Sequence, residues 1–167
     1  KVKEPGYWKN ENFQEFKTIE KQNYLDLFGK SSCKIYGESS TAYMYHQYFI
    51  KNINNNYKDC PKFIFVLRNP IDRCVSHYWW MKGLGLEKDD FNKAIKLDIE
   101  KKIEPYSYYP KYYFQFGLYS KWLKVFYNSF GVSNIKIITF ENLINNQLET
   151  INSCFEFLGL NKLESIS

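Results

Sequence analysis

The chain has 167 residues, 44% hydrophobic and 20% aromatic, enough to bury one ordinary core; this excludes a disordered polymer and predicts a single domain over residues 1–167. Its 23 basic and 18 acidic residues leave a formal charge of +5, a sign suited to an anionic partner but without the dense basic blocks of a dedicated nucleic-acid binder. Four scattered cysteines without a C-x-x-C pair point away from a zinc site or disulfide scaffold, and no apolar run reaches the roughly 20 residues a membrane span needs.

The chain begins at Lys1 and opens on KEPGYW. It ends with only NKLESIS after its last helical pattern, so a piece of a larger protein is expected. In FQEFKTIEKQNYLDLF, the apolar residues Phe13, Phe16, Ile19, Tyr24, Leu25 and Phe28 fall near helical spacing, with Gly29 as a stop. SCKIYGES reads as a short strand ending at Gly37, and TAYMYHQYFIKNI returns to helical spacing.

Phe63 to Leu67 is an unbroken apolar run of strand length, as expected of a parallel strand buried on both faces. Asn69 is a good N-cap and Pro70 suits a first helical turn, so a helix should start there and face the core through Ile71, Cys74, Val75 and Tyr78. After the loop GLGLEKDD, Phe91 to Ile99 reads as a helix and Lys101 to Tyr113 as a Tyr-rich loop. Phe114 to Phe126 is helical in pattern, ending near Gly131; Asn134 to Thr139 is a second strand and Glu141 to Leu158 the last helix. Alternation of this kind predicts a three-layer α/β/α domain on a central parallel sheet, whose ligands sit beyond the carboxyl ends of the strands.

Of the 23 basic residues, the two arginines, Arg68 and Arg73, both lie within KFIFVLRNPIDRCVSHYWW. Arg68 ends the first strand, where its planar fork can grip a phosphate in a way an ammonium cannot, and the helix N-terminus just downstream would add partial positive charge and free N–H groups. The residues alone leave a second reading open, in which Arg68 pairs with Asp72. Arg73 reads as structural, through helix packing or a surface ion pair. His46 reads as a helix-face or surface residue, His77 as a packing residue, and Tyr43, Trp79, Trp80 and Trp122 as core or cleft-wall aromatics. YSYYPKYYF, Tyr106 to Phe114, reads as a packed loop or as a face on which sugar rings stack.

VLRNPIDRCVSHYWW resembles the 3′-phosphate-binding motif of sulfotransferases that use 3′-phosphoadenosine 5′-phosphosulfate (PAPS), in the carbohydrate and bacterial branches that include the heparan sulfate enzymes. In that family an arginine ending the strand and a serine eight residues later hold the 3′-phosphate; the resemblance assigns these roles to Arg68 and Ser76, of which Ser76 by itself reads as a plain helix serine. KEPGYW resembles the KEPHFF-type segment, whose glutamate acts as base, and so implies that role for Glu4. GESSTAY resembles the GEKSPSY-type segment and leaves Glu38 either a positioning or an acceptor-cleft role. LYSKWLKVF, NIKIITFENL and CFEFLGL resemble the family's later helix, strand and helix.

The resemblance covers nearly the whole chain and implies a P-loop-nucleotide-hydrolase-like sulfotransferase fold. The implied reaction moves a sulfuryl group from PAPS to a hydroxyl or amine of an acceptor, most simply a carbohydrate, and releases 3′-phosphoadenosine 5′-phosphate without a metal. Gly6, Ser39 and Thr41 depart from the family's usual His, Lys and Pro. The Gly- and Lys-rich phosphosulfate loop that should precede KEPGYW does not occur within the 167 residues, so this chain alone is expected to transfer sulfate poorly. The expected compartment is the cytoplasm for a bacterial protein and the Golgi lumen for a eukaryotic one. A non-catalytic nucleotide or carbohydrate binder is the alternative, as is a nucleotide kinase, although the latter needs a G-x-x-x-x-G-K-[ST] loop that is not found here.

Overall fold

The structure, a computed structural model, describes residues 24, 26–29, 33–101 and 111–166. The chain falls into two compact units, Lys1–Lys58 with Glu104–Tyr108, and Asp59–Ile103 with Tyr109–Ser167.

In the first unit, residues 33–40 make no strand, contrary to the reading of SCKIYGES. The helical pattern that follows is split by His46, whose extended backbone separates a 3-10 turn, Thr41–Tyr45, from helix α1, Gln47–Asn56. The break turns Tyr43 back onto the helix, where its ring stacks on Phe49 at 4.4 Å. Tyr24, Ala42, Phe49 and Ile53 are buried, and His46, read as a helix-face or surface residue, is buried with them.

The second unit is built on two parallel strands, β1 (Phe63–Leu67) and β2 (Ile135–Thr139), paired from Phe63↔Ile135 to Leu67↔Thr139. Both are β-branched or aromatic runs that suit a pleated, covered surface. A parallel pair needs a long crossover. Here it contains α2 (Pro70–Gly83), α3 (Phe91–Glu100) and α4 (Tyr119–Phe130). Strand alternation sends Phe63 and Phe65 to one face, where their rings lie 5.5 and 4.9 Å from Phe126 of α4. Lys62 and Lys136 stand on the other face, their ammonium groups 4.8 and 6.0 Å from the ring of Phe157. Phe157 belongs to α6 (Gln147–Leu158), which follows the short α5 (Phe140–Asn145). Helices therefore lie on both faces of the strand pair, the three-layer arrangement expected, but no residue of β1 is buried and Val66 is 51% exposed, so the burial on both faces expected of that strand is not found.

Local chemistry sets the helix ends. Asn69 Oδ1 accepts from the amides of Ile71 (2.9 Å) and Asp72 (3.4 Å), and Pro70 opens α2 as expected. Asp90 caps α3 by accepting from Lys93 N, and Thr139 caps α5 by accepting from Asn142 N. The predicted Glu141–Leu158 helix is two helices because Asn146 leaves helical geometry (φ −134°, ψ 55°). Gly159 ends α6 in the left-handed region (φ 71°), with Leu160 N donating back to Phe155 O.

The face of α2 differs from expectation. Ile71 is 71% exposed and Val75 is also exposed, while Tyr78 and Met81 are buried against Ala94 of α3 and Tyr113, with Cys74 at the edge. The stripe 74, 78, 81 is helical too, sharing Cys74 and Tyr78 with the expected one, and its Tyr78 hydroxyl finds Asp89 O at 3.0 Å. Burying Tyr78 or Met81 is worth about 2 kcal/mol each. Trp79 and Trp80, read as packed, are each 62% exposed.

Where Phe114 was to start a helix, the chain makes a 3-10 turn, Gln115–Gly117, before α4. Asp98, 0% exposed, accepts on one oxygen from the amides of Phe114 (2.5 Å) and Gln115 (3.2 Å) and so holds the turn in place. Gly117 lets that turn approach the start of α2, since a Cβ there would lie 3.2 Å from Pro70 Cβ.

Candidate functional site

Arg68 follows the last paired residue of β1, at the carboxyl end of the strand. The parallel register places Phe140, the residue after Thr139, alongside it. The guanidinium carbon of Arg68 lies 5.5 Å from the Phe140 ring centroid. Tyr119, at the start of α4, donates its hydroxyl to Arg68 O at 2.9 Å. Glu141 accepts on Oε1 from Asn69 N at 2.9 Å, joining the turn after β2 to the turn after β1.

Asp72 does not pair with Arg68, which forms no ion pair within 4 Å among the described residues. Glu141 is the carboxylate whose charge is felt. Its carboxyl is held below the usual range first by the Asn69 amide, then by its own amide, and further by the positive charge of Arg68. Burial pushes the Tyr119 phenol up, so it remains a proton donor to Arg68 O at neutral pH.

The free N–H groups expected at the start of α2 are a correction. Pro70 has none, Asn69 Oδ1 takes those of Ile71 and Asp72, and the amide of Asn69 goes to Glu141. What this turn offers an anion is the Arg68 side chain. Ser76 stands exposed on α2, roughly 9 Å along the helix from Pro70 at 1.5 Å per residue. Arg68 and Ser76 thus belong to one strand–turn–helix unit. Glu4 lies outside the described residues.

Arg73 is structural, as expected. It donates through Nη2 to Tyr113 O and lies 3.4 Å from His77 Nδ1 through Nη1. His77 is a packing residue, its ring 4.9 Å from that of Tyr113 and parallel to Phe116 at 6.2 Å. Trp122 packs edge-on to Phe116 and donates its indole N–H to Gln115 O at 3.0 Å. In the first unit Glu38 collects three hydroxyls: Tyr24 and Tyr43, each at 3.0 Å, and Ser40 at 2.5 Å. Three donors on one carboxylate fix its orientation, and this supports the positioning reading of Glu38. No group of three or more His, Cys, Asp or Glu that could hold a metal occurs among the described residues.

Sequence reasoning missed Phe140, Glu141 and Tyr119. The signal for the first two was present: once FIFVL and IKIIT are paired in parallel, the residues that follow each strand become neighbours. Nothing in the sequence pattern pointed to Tyr119.

Three comparisons bear on this arrangement. A sulfotransferase crystal structure from Alicyclobacillus acidocaldarius, 24% identical, superposes with a TM-score of 0.80 over 99% of this chain and 74% of that one, which shows a shared fold. The luciferin sulfotransferase of Photinus pyralis is 29% identical over 106 residues, covering 64% of this chain. The chain spans 25% of that protein's length. The sulfotransferase-domain profile matches residues 41–167, well over half of the sequence and including the whole Arg68 to Ser76 unit, and the chain belongs to that family.

Proposed function

We propose that this chain carries the 3′-phosphate-recognising part of a sulfotransferase that moves a sulfuryl group from PAPS to a hydroxyl or amine of an acceptor, most simply a carbohydrate. The observation that carries the reading is the state of Arg68. It is a planar cation at the carboxyl end of a parallel strand, laid over an aromatic ring, with no ion pair among the described residues. This fits a phosphate monoester, which accepts two parallel N–H···O bonds from such a fork. Ser76, exposed on the helix that follows, adds a hydroxyl donor for a phosphate lying along the helix flank.

When bound, the nucleotide supplies a sulfuryl group on a phosphate leaving group. The chain's own residues must hold it and activate the acceptor. Arg68 and Ser76 hold the ribose phosphate and so orient the donor for in-line attack. Glu4 takes the proton of the attacking hydroxyl as general base. The resemblance of KEPGYW to the family's KEPHFF-type segment supports that role; the family match, over residues 41–167, does not reach Glu4.

Calorimetric titration of the chain with adenosine 3′,5′-bisphosphate, adenosine 5′-monophosphate and ATP tests the reading. The bisphosphate should bind at least tenfold more tightly than either of the others, and Arg68→Ala should weaken it by about 100-fold, the equivalent of two charge-assisted hydrogen bonds. Equal affinity for all three nucleotides overturns the proposal. In a full-length protein that also carries the phosphosulfate loop, Glu4→Gln separates enzyme from binder: it should cost a factor of about 10² to 10⁴ in turnover of PAPS and a sugar acceptor, with nucleotide affinity kept.

A further inference from the structure

We infer that Phe140 and Glu141, the two residues that follow β2, are positioning residues for Arg68, the ring holding the guanidinium flat and the carboxylate pinning the turn from which it projects. The inference rests on the proposed function of Arg68 and assigns the means by which that site is kept ready.

An arginine at a strand end has many rotamers, and a bidentate grip on phosphate needs one orientation of the fork. An ion pair would supply order but occupy the same N–H edges the phosphate needs. The ring of Phe140, whose centroid lies 5.5 Å from the guanidinium carbon, supplies order instead without accepting a hydrogen bond along the N–H edges that a phosphate would use. The parallel register produces this contact directly, because Phe140 is the next residue after the Leu67↔Thr139 pair.

Glu141 has a less obvious part. A carboxylate whose charge reaches Arg68 ought to compete with phosphate for it. The structure commits Glu141 elsewhere: Oε1 takes the amide of Asn69, and Asn69 in turn caps α2 through Ile71 and Asp72. Tyr119 holds the other side of the same peptide unit by donating to Arg68 O. The carbonyl and the following amide are thus both tied down, and the side chain leaves from a fixed point. The contribution of Glu141 is its acceptor oxygen, while its charge works against the ligand.

That division gives a test in the whole chain. The readout is the preference for adenosine 3′,5′-bisphosphate over adenosine 5′-monophosphate, because a merely loosened fold lowers both affinities together. Phe140→Leu and Glu141→Ala should each reduce the preference about five- to tenfold. Phe140→Tyr should keep it. Glu141→Gln keeps an acceptor for Asn69 and removes the charge, so it should equal or exceed the wild type by a few-fold. In an Arg68→Ala background, Phe140→Leu should have no further effect on the preference, as two residues acting through one contact require.

If Arg68→Ala abolishes the preference while Phe140→Leu and Glu141→Ala leave it within twofold, the positioning role is overturned and the proposed function stands. A Glu141→Gln protein as impaired as Glu141→Ala overturns the acceptor role of Glu141. A wild-type chain with no preference overturns the proposed function, and the inference with it.

Discussion

Arg68 and Arg73 stand five residues apart, one at the end of β1 and the other in the second turn of α2, and the fold treats them as different kinds of group. Arg73 commits its guanidinium inward, to the carbonyl of Tyr113 and the ring of His77, beside a fully buried Asp98. Arg68 has its backbone held on both sides by Tyr119 and Glu141, while its side chain lies on a ring with no ion pair among the described residues. The difference lies in where donors are used. Arg73 spends its two terminal nitrogens on the protein, with its buried Nε left without a hydrogen-bond partner among the described residues, while Arg68 keeps its fork unspent and the backbone around it is fixed.

The sharpest way to break this contrast is to remove each arginine and read stability and binding separately. Arg73→Ala strips a charge-assisted bond from Tyr113 O and leaves that carbonyl without its donor, so urea unfolding should show a loss of about 2–3 kcal/mol. Nucleotide affinity of the folded fraction should change little. Arg68→Ala should do the reverse, with a midpoint of unfolding near wild type and the affinity loss given above. If both substitutions act equally on both readouts, the distinction is wrong.

Asn69→Ala comes next in size. It removes the cap of α2 and should cost about 1 kcal/mol of stability, with a weaker effect on binding because Arg68 keeps its ring. Ser76→Ala should leave stability unchanged and weaken the bisphosphate several-fold, since an exposed hydroxyl contributes one neutral hydrogen bond.

The smallest effect is a pH dependence on the Arg73 side. Burial pushes the Asp98 carboxyl above the ordinary aspartate range, against the opposing pull of the Phe114 and Gln115 amides and of Lys101 and Arg73. A carboxyl raised in the fold binds its proton more tightly than in the unfolded chain, so its contribution to stability is fully present below the unfolded value. That contribution is lost as pH rises through the folded one. Urea unfolding between pH 3 and 7 should show the wild type losing ground against Asp98→Asn as pH increases. A difference between the two that does not vary with pH would show that Asp98 does not titrate across the window.

Much of the second unit was legible in the sequence for local reasons. FIFVL and IKIIT are strands because their side chains suit a covered pleated surface, and Asn69–Pro70 starts a helix because an amide side chain caps it and a fixed φ suits its first turn. The resemblance carried by VLRNPIDRCVSHYWW led to the family the profile match shows. What failed were statements about partners: that Ile71 and Val75 face the core beside Cys74 and Tyr78, where Trp79 and Trp80 lie, and whether the amides after Asn69 are available.

The residues by themselves therefore determined the strand-to-helix junction and the kind of cation at its end, because propensity, capping and side-chain chemistry act over a few positions. Tertiary structure decided which donors that junction still has to offer, and which of two arginines is committed to the fold. That depended on Phe140, Glu141 and Tyr119, which reach Arg68 across 51 to 73 positions of chain only once β1 and β2 pair.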